Sequence, residues 1–156
     1  MKTLVKRIKA QLQGDTTITP YVATTSMQIV SPDMLPDIAI TATPFIGIAP
    51  VSTTEGWFST GKMNLIHTVR IFIVQSFEVQ ETAIIGDSVK PSIFELTDLV
   101  KDSVRAEFFA SGGVNWLSKP AVITNTRYST PPMGDNYYVF VSAIDLACAR
   151  QIDVTV

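Results

Sequence analysis

The segment MNLIHTVRIFIVQSF, residues 63–77, constrains the fold more than any other part of the chain. Its apolar residues alternate with a period of two. One set reads Met63, Leu65, His67, Val69, Ile71 and Ile73, and the other reads Asn64, Ile66, Thr68, Arg70, Phe72 and Val74. Only a β-strand sends successive side chains to opposite faces in this way, and the first set is the better core face. Other extended segments surround it. Residues 16–32, TTITPYVATTSMQIVSP, are rich in threonine, carry no charge and contain Pro20, which predicts an extended edge strand or arm. Residues 35–50 alternate Ile38 and Ile40 with Ala39 and Thr41 and are punctuated by prolines, again an extended run. YYVFVSAIDLACAR, residues 137–150, is apolar on both faces and reads as a strand that is central or covered on both sides. A further strand falls within 114–128, with Val114, Trp116, Val122 and Ile123 interrupted by Pro120, and TPPMGDN at 130–136 is a turn by composition.

Two helices break this pattern. Leu4, Ile8 and Leu12 repeat every fourth residue with Val5 beside them, while Lys2, Lys6, Arg7 and Lys9 take the other side, so residues 1–13 form a short amphipathic helix ended at Gly14 and Asp15. Ser92 and Glu95 have the spacing of a capping box just after Pro91. Ile93, Leu96, Val100, Val104 and Phe108 then follow at steps of three or four, and Ser111-Gly112-Gly113 stops a main helix of about 92–109. The expected fold is one α+β domain over residues 1–156: a mixed, mainly antiparallel sheet with the N-terminal helix and the longer central helix on one face. Residues 55–62, EGWFSTGK, read as a loop or hairpin turn ahead of the clearest strand, and residues 78–90 as a connection.

Charge is the second constraint. Charged residues make up 17% of the chain, against roughly 25% in an average soluble protein, while 46% is hydrophobic, so the chain is no disordered segment. Between Thr16 and Thr54 only Asp33 and Asp37 are charged. The core of a protein interface is depleted in charge, so this block points to surface hidden against partners, and a monomer with a Thr/Ser-rich polar surface is the alternative. The net charge of −2 lacks the basic stripe that phosphate neutralisation requires, and the lysines near the N-terminus are explained by a solvated helix face. The stretch Ile38 to Thr54 is broken by Pro44, Gly47 and Pro50 and is no membrane-spanning helix. The segment MKTLVKRIKA lacks the continuous apolar region of a signal peptide. Cys148 is the sole cysteine, which rules out an internal disulfide and reads as a small buried hydrophobe of a protein made in a reducing compartment.

Motifs for chemistry fail on context. Gly56 to Lys62 has the G-x-x-x-x-G-K spacing of a phosphate-binding loop, but Met63 stands where the magnesium-binding Ser/Thr belongs. A strand follows instead of a helix, and Trp57 and Phe58 fill the positions where backbone amides must approach phosphate. His67, the one histidine, falls on the apolar face and reads as a packed core-edge residue, not a member of a nucleophilic triad. One histidine and one cysteine leave no set of ligands for a transition metal of the N/S type. Asp33 with Asp37, and Asp98 with Asp102, are more simply solvated charges than a hard-cation site. The expectation is therefore a chain without catalytic, cofactor-binding or metal-binding residues. Tyr21, Trp57, Phe58 and Met133, large apolar groups in segments read as loops or arms, are the candidate contacts with a partner, with packing onto their own domain as the alternative.

The layout resembles the tail terminator, or tail completion, proteins of long-tailed bacteriophages, with related neck proteins close behind. The likeness is carried, in order, by the helix LVKRIKAQL, the extended stretch PDIAIT, the strand HTVRIFIVQSF, the helix FELTDLVKDSVRAEF and the strand YYVFVSAIDLACAR. It spans most of the chain and rests on arrangement and size. The threonine-rich segment 16–32 and the connection 78–90 depart from it. The resemblance implies a virion protein, assembled in the host cytoplasm, whose copies close into a ring, usually a hexamer. Such a ring caps the tail tube, ends its growth and forms the surface for head–tail joining. The partners it implies are copies of the same chain, the tail tube protein and head-completion or neck proteins, with genome DNA only as passing cargo and no membrane. A tail-tube, head-closure or capsid accessory protein is the nearest alternative. A small enzyme or ligand-binding domain, such as one that binds a nucleotide through 56–62, is the alternative of another class.

Overall fold

A computed structural model of the chain describes residues 1–33, 43–59, 61–78, 80–87, 89–109, 121–130 and 138–154, with the side chains at 58–59 and 106–109 outside that description. The described elements are α1 (Lys2–Gly14), β1 (Met27–Ile29), β2 (Phe45–Ser59), β3 (Lys62–Phe77), α2 (Gln80–Ile85), α3 (Ile93–Phe109), β4 (Val122–Ser129) and β5 (Tyr138–Asp153). The strands form one sheet in the order β1-β2-β3-β5-β4. Only the short β1 runs parallel to its neighbour β2, and every other pairing is antiparallel. This is the α+β fold that the alternating and helical periodicities imply.

The two longer helices pack on one face of the sheet. Leu4, Val5, Ile8 and Leu12 of α1, with Ile93, Leu96, Val100 and Val104 of α3, join Ile46 and Ile48 of β2, Val69, Ile71 and Ile73 of β3, and Ile144, Leu146 and Cys148 of β5 in a single core. The face of β3 that begins at His67 is thus the helix face, as its alternation predicts. The capping box forms: the Ser92 amide donates to Glu95 Oε2 at 2.8 Å, and the Glu95 amide donates to Ser92 Oγ at 3.1 Å. Two of the amides at the start of α3 are thereby satisfied.

The other face of β3 is buried too. Phe72 and Val74 meet Phe45, Ala49, Val139 and Val141 in a second apolar cluster. β5 lies between β3 and β4 and is apolar toward both clusters, which explains why 137–150 shows no clean alternation.

Three expectations change. Residues 16–26 are not a strand or an arm. The Asp15 carboxylate accepts hydrogen bonds from the Thr17 amide at 2.8 Å and the Thr17 hydroxyl at 2.7 Å, and successive amides then fold back: Thr19 onto Asp15, Tyr21 and Val22 onto Ile18. Such local bonds compete with a sheet ladder. The turns that result bury Ile18, Val22 and Met27 completely, so the strand shrinks to Met27–Ile29. Residues 55–59 are not a loop, because β2 continues through them, pairing Glu55 with Leu65 and Trp57 with Met63. Ser59 pairs with Lys62, and the chain reverses at Gly61, whose φ of 79° suits glycine. The connection 78–90 contains the short helix α2. Within 114–128 the described strand starts only at Val122. Val114, Trp116, Pro120 and, apart from Thr130, the turn expected at 130–136 lie outside the described residues, as does the half of the stretch 35–50 before Thr43.

Candidate interaction surfaces

Three strands continue past the point where the core ends. The last core row across the sheet is Thr53, His67 and Cys148. Beyond it β2 runs to Ser59, β3 begins at Lys62 and β5 ends at Asp153, so a three-stranded ribbon extends the sheet. Every described residue of Val51–Trp57 is exposed. On the helix-side face of this ribbon the rows are Glu55, Leu65 and Arg150, then Trp57, Met63 and Ile152. Trp57 is 72% exposed and closes an apolar row across three strands. The opposite face carries Thr54 with Ile66 and Ala149, and Gly56 with Asn64 and Gln151. An exposed tryptophan set on strands is held rigidly and exposes a large apolar area, the character of an interface anchor.

His67 seals the base of the ribbon. It is buried, and its Nδ1 lies 2.9 Å from the Thr53 hydroxyl, with which it shares a hydrogen bond. Burial, together with the positive charges of the chain's N-terminus and Arg150, holds the imidazole below its usual pKa. It is therefore a neutral packing residue at pH 7. Cys148, opposite it, is buried, and its thiol is pushed up to about 12, which leaves it without thiolate reactivity.

On the face away from the helices, Asp145 receives two arginines. Arg70, its direct cross-strand partner, donates from Nε at 2.5 Å and from Nη2 at 3.1 Å. Arg127 of β4 donates to Asp145 Oδ2 at 3.2 Å. The Arg70 hydrogen bonds and charge, with those of Arg127, hold the Asp145 carboxyl below its ordinary range despite the opposing effect of burial. The triad locks β3, β5 and β4 together next to Phe72, whose ring lies 5.9 Å from the Arg70 guanidinium.

A second group of exposed apolar residues lies at the other end of the sheet. Ile84, Ile85 and Val89 follow the far end of β3, and Phe94 of α3 packs on Tyr128 of β4 with ring centroids 4.7 Å apart. Periodicity missed this patch because α2 is too short to show a repeat. The run Ala83-Ile84-Ile85 within an otherwise polar connection was its one signal.

Of the four candidate contacts, Tyr21 and Trp57 do not converge. Trp57 sits on the ribbon. The backbone of Phe58 lies beside it in β2, at a register shift between Trp57 and Ser59, and its side chain is outside the described residues. Tyr21, 41% exposed, lies in the turns leading to β1, which pairs with Ile46–Ile48. Trp57 is about 30 Å further along β2 at ~3.3 Å per residue. Met133 lies outside the described residues. The spacing Gly56 to Lys62 has no phosphate-loop geometry: Gly56 through Ser59 is strand, and Lys62 opens another strand. Asp98 and Asp102 pair with Lys101 and Arg105 on the exposed side of α3.

No protein-family model matches the chain, and no curated protein matches its sequence. Among the described residues no group of three or more His, Cys, Asp or Glu side chains is placed to hold a metal ion, and no helix is long and apolar enough to cross a membrane.

Proposed function

We propose that the chain is a structural protein of a bacteriophage virion, without catalytic activity, whose copies assemble into a ring that caps the tail tube and presents the tail side of the head–tail joint. The observation that carries this reading is the ribbon: three paired strands that leave the core with Trp57, Met63 and Ile152 in one row and a single charge, Glu55, on residues 51–57. A solvated monomer gains nothing from a rigid extension ending in an exposed tryptophan, whereas an assembling subunit needs one. The second apolar patch, at Ile84, Ile85, Val89 and Phe94, gives the subunit two unlike surfaces. Unlike surfaces suit a head-to-tail contact that closes by rotation. The partners in this reading are copies of the chain, the tube protein and neck proteins, with DNA passing through. Electron microscopy of the purified protein, alone and mixed with isolated tail tubes, tests it. Rings, or rings seated at tube ends, are expected. A monomer that ignores tubes and binds a nucleotide or metal ion tightly would refute it in favour of a small ligand-binding domain.

A further inference from the structure

Among the described residues the sheet has two open edges of opposite direction. β1 covers β2 only at Ile46–Ile48, and among the described residues no strand pairs with the outer edge of β2 after that point. β4 is the other edge, and most of its residues are exposed. Unpaired backbone amides and carbonyls on an edge are satisfied by another strand, and natural edges are usually blunted by charge, proline or bulges. Here proline and the register shifts flank the run on β2 without entering it. Pro50 and a register shift precede Ser52, and the next shift follows Trp57. Between them Ser52–Trp57 is regular, with Glu55 its only charge. On β4 the regular run is Asn125–Ser129, after the shift at Ile123, with Arg127 its only charge.

We propose that copies of this chain join edge to edge, with Ser52–Trp57 of one copy pairing antiparallel with Asn125–Ser129 of the next. The direction follows from the topology. β2 is antiparallel to β3, β3 to β5, and β5 to β4, so β2 and β4 of one copy run in opposite senses. Ser52–Trp57 lies level with Met63–Thr68 of β3 and Asn125–Ser129 level with Arg70–Val74, an offset of roughly 20 Å at ~3.3 Å per residue, so the ring axis is inclined to the strands as in a closed barrel; rotation about it preserves that sense and keeps the helices of successive copies on the same side. Such a contact is head-to-tail and leaves no open edge when the ring closes. The competing arrangement, β2 against β2 about a two-fold axis, leaves both β4 edges open. With faces matched and the contact centred on this run, it also sets Glu55 opposite, or next but one to, its own copy, and like charges so placed repel. This inference rests on the ring reading and specifies the contact that closes the ring.

Facing side chains fix the test. Thr53, Glu55 and Trp57 share the helix side with Thr126 and Tyr128, whereas Thr54 is on the other side. Cysteine pairs Thr53→Cys or Glu55→Cys with Thr126→Cys or Tyr128→Cys are introduced into the full chain and oxidised mildly. Cysteines on one face of paired strands come within disulfide reach. At least one of these pairs is expected to give a ladder of covalent multimers on a non-reducing gel, and the Thr54→Cys/Thr126→Cys control is expected to give none. Circular dichroism checks that each variant is folded. An oligomer by light scattering with no ladder from any same-face pair overturns the edge contact and leaves the ring reading standing. Efficient dimers from Glu55→Cys alone overturn it in favour of the two-fold arrangement. A chain that stays monomeric with and without tail tubes overturns both.

Discussion

Asp145→Asn is the substitution that most directly tests how β3, β5 and β4 are held together on the face away from the helices. Asparagine keeps the size of the side chain and one acceptor oxygen but removes the charge. The change leaves Arg70 and Arg127 facing each other without the carboxylate that both now contact. Hydrogen bonds to a charged group contribute about 1.5–3 kcal/mol each when buried. The Arg70 side chain is 26% exposed and Asp145 11%, so the bidentate pair retains much of that value. The Arg127 side chain is 62% exposed, and its contact counts as a surface ion pair of roughly 0–1 kcal/mol. Asparagine recovers part of one bond, which leaves an expected loss of about 2 kcal/mol and a fall in Tm of about 4–8 °C for a domain of this size. Urea denaturation at pH 7 of the wild type, Asp145→Asn, Arg70→Met and the double variant measures the coupling. The pH dependence gives an independent check. Asp145 has a lower pKa folded than unfolded, so its contribution is present above the ordinary carboxylate pKa and is lost as pH falls through the folded value. Wild type and Asp145→Asn therefore converge in stability in acid. A variant within 0.5 kcal/mol of wild type at pH 7, or a difference that persists unchanged below the carboxylate range, would refute the argument.

Gly86→Ala places a Cβ within 2.8 Å of Glu95 Oε2 and 2.9 Å of the Ser92 amide nitrogen, the two atoms that form the capping bond, at a residue whose φ is 78°. Left-handed backbone costs an L residue about 1–2 kcal/mol and a damaged cap about 1 kcal/mol more, so calorimetry is expected to show a clear drop in Tm. Ile18→Ala should lose about 2–5 kcal/mol by opening a cavity in the core, while Tyr21→Ala in the same turns should stay within roughly 0.5 kcal/mol. Equal small effects would restore the picture of 16–32 as a detached arm, and deletion of 16–32 is expected to unfold the protein. Trp57→Ser should leave the urea midpoint nearly unchanged and weaken self-association at least about 30-fold, the effect of losing an interface anchor of about 2 kcal/mol. Sedimentation at graded concentrations reads this, and unchanged association would move the contact away from the ribbon.

The periodicities at 63–77 and 92–109 were enough to place the central strand, its helix face and the capped main helix, because each depends on neighbours within a few residues. Helix α1 was legible for the same reason. The absence of a phosphate loop at Gly56 to Lys62 was legible as well, since a strand, not a helix, follows. Other features were decided only by the tertiary structure. Threonines at 16–26 favour extended chain, but Asp15 captures Thr17 and the core accepts Ile18 and Val22, and burial outweighs propensity. Glu55-Gly56-Trp57 reads as a turn until it is seen paired to Leu65, Asn64 and Met63, because glycine marks a turn locally while strand pairing is a property of the partner. The Asp145 triad joins residues 75 and 18 positions away along the chain, and nothing local to Arg70 or Arg127 announces it. The charge-poor composition belonged to the sequence. That the segment 51–57 of β2, with Glu55 its one charge, lies on an edge was decided by the sheet, because only strand order determines which charge-poor segment is left without a neighbour.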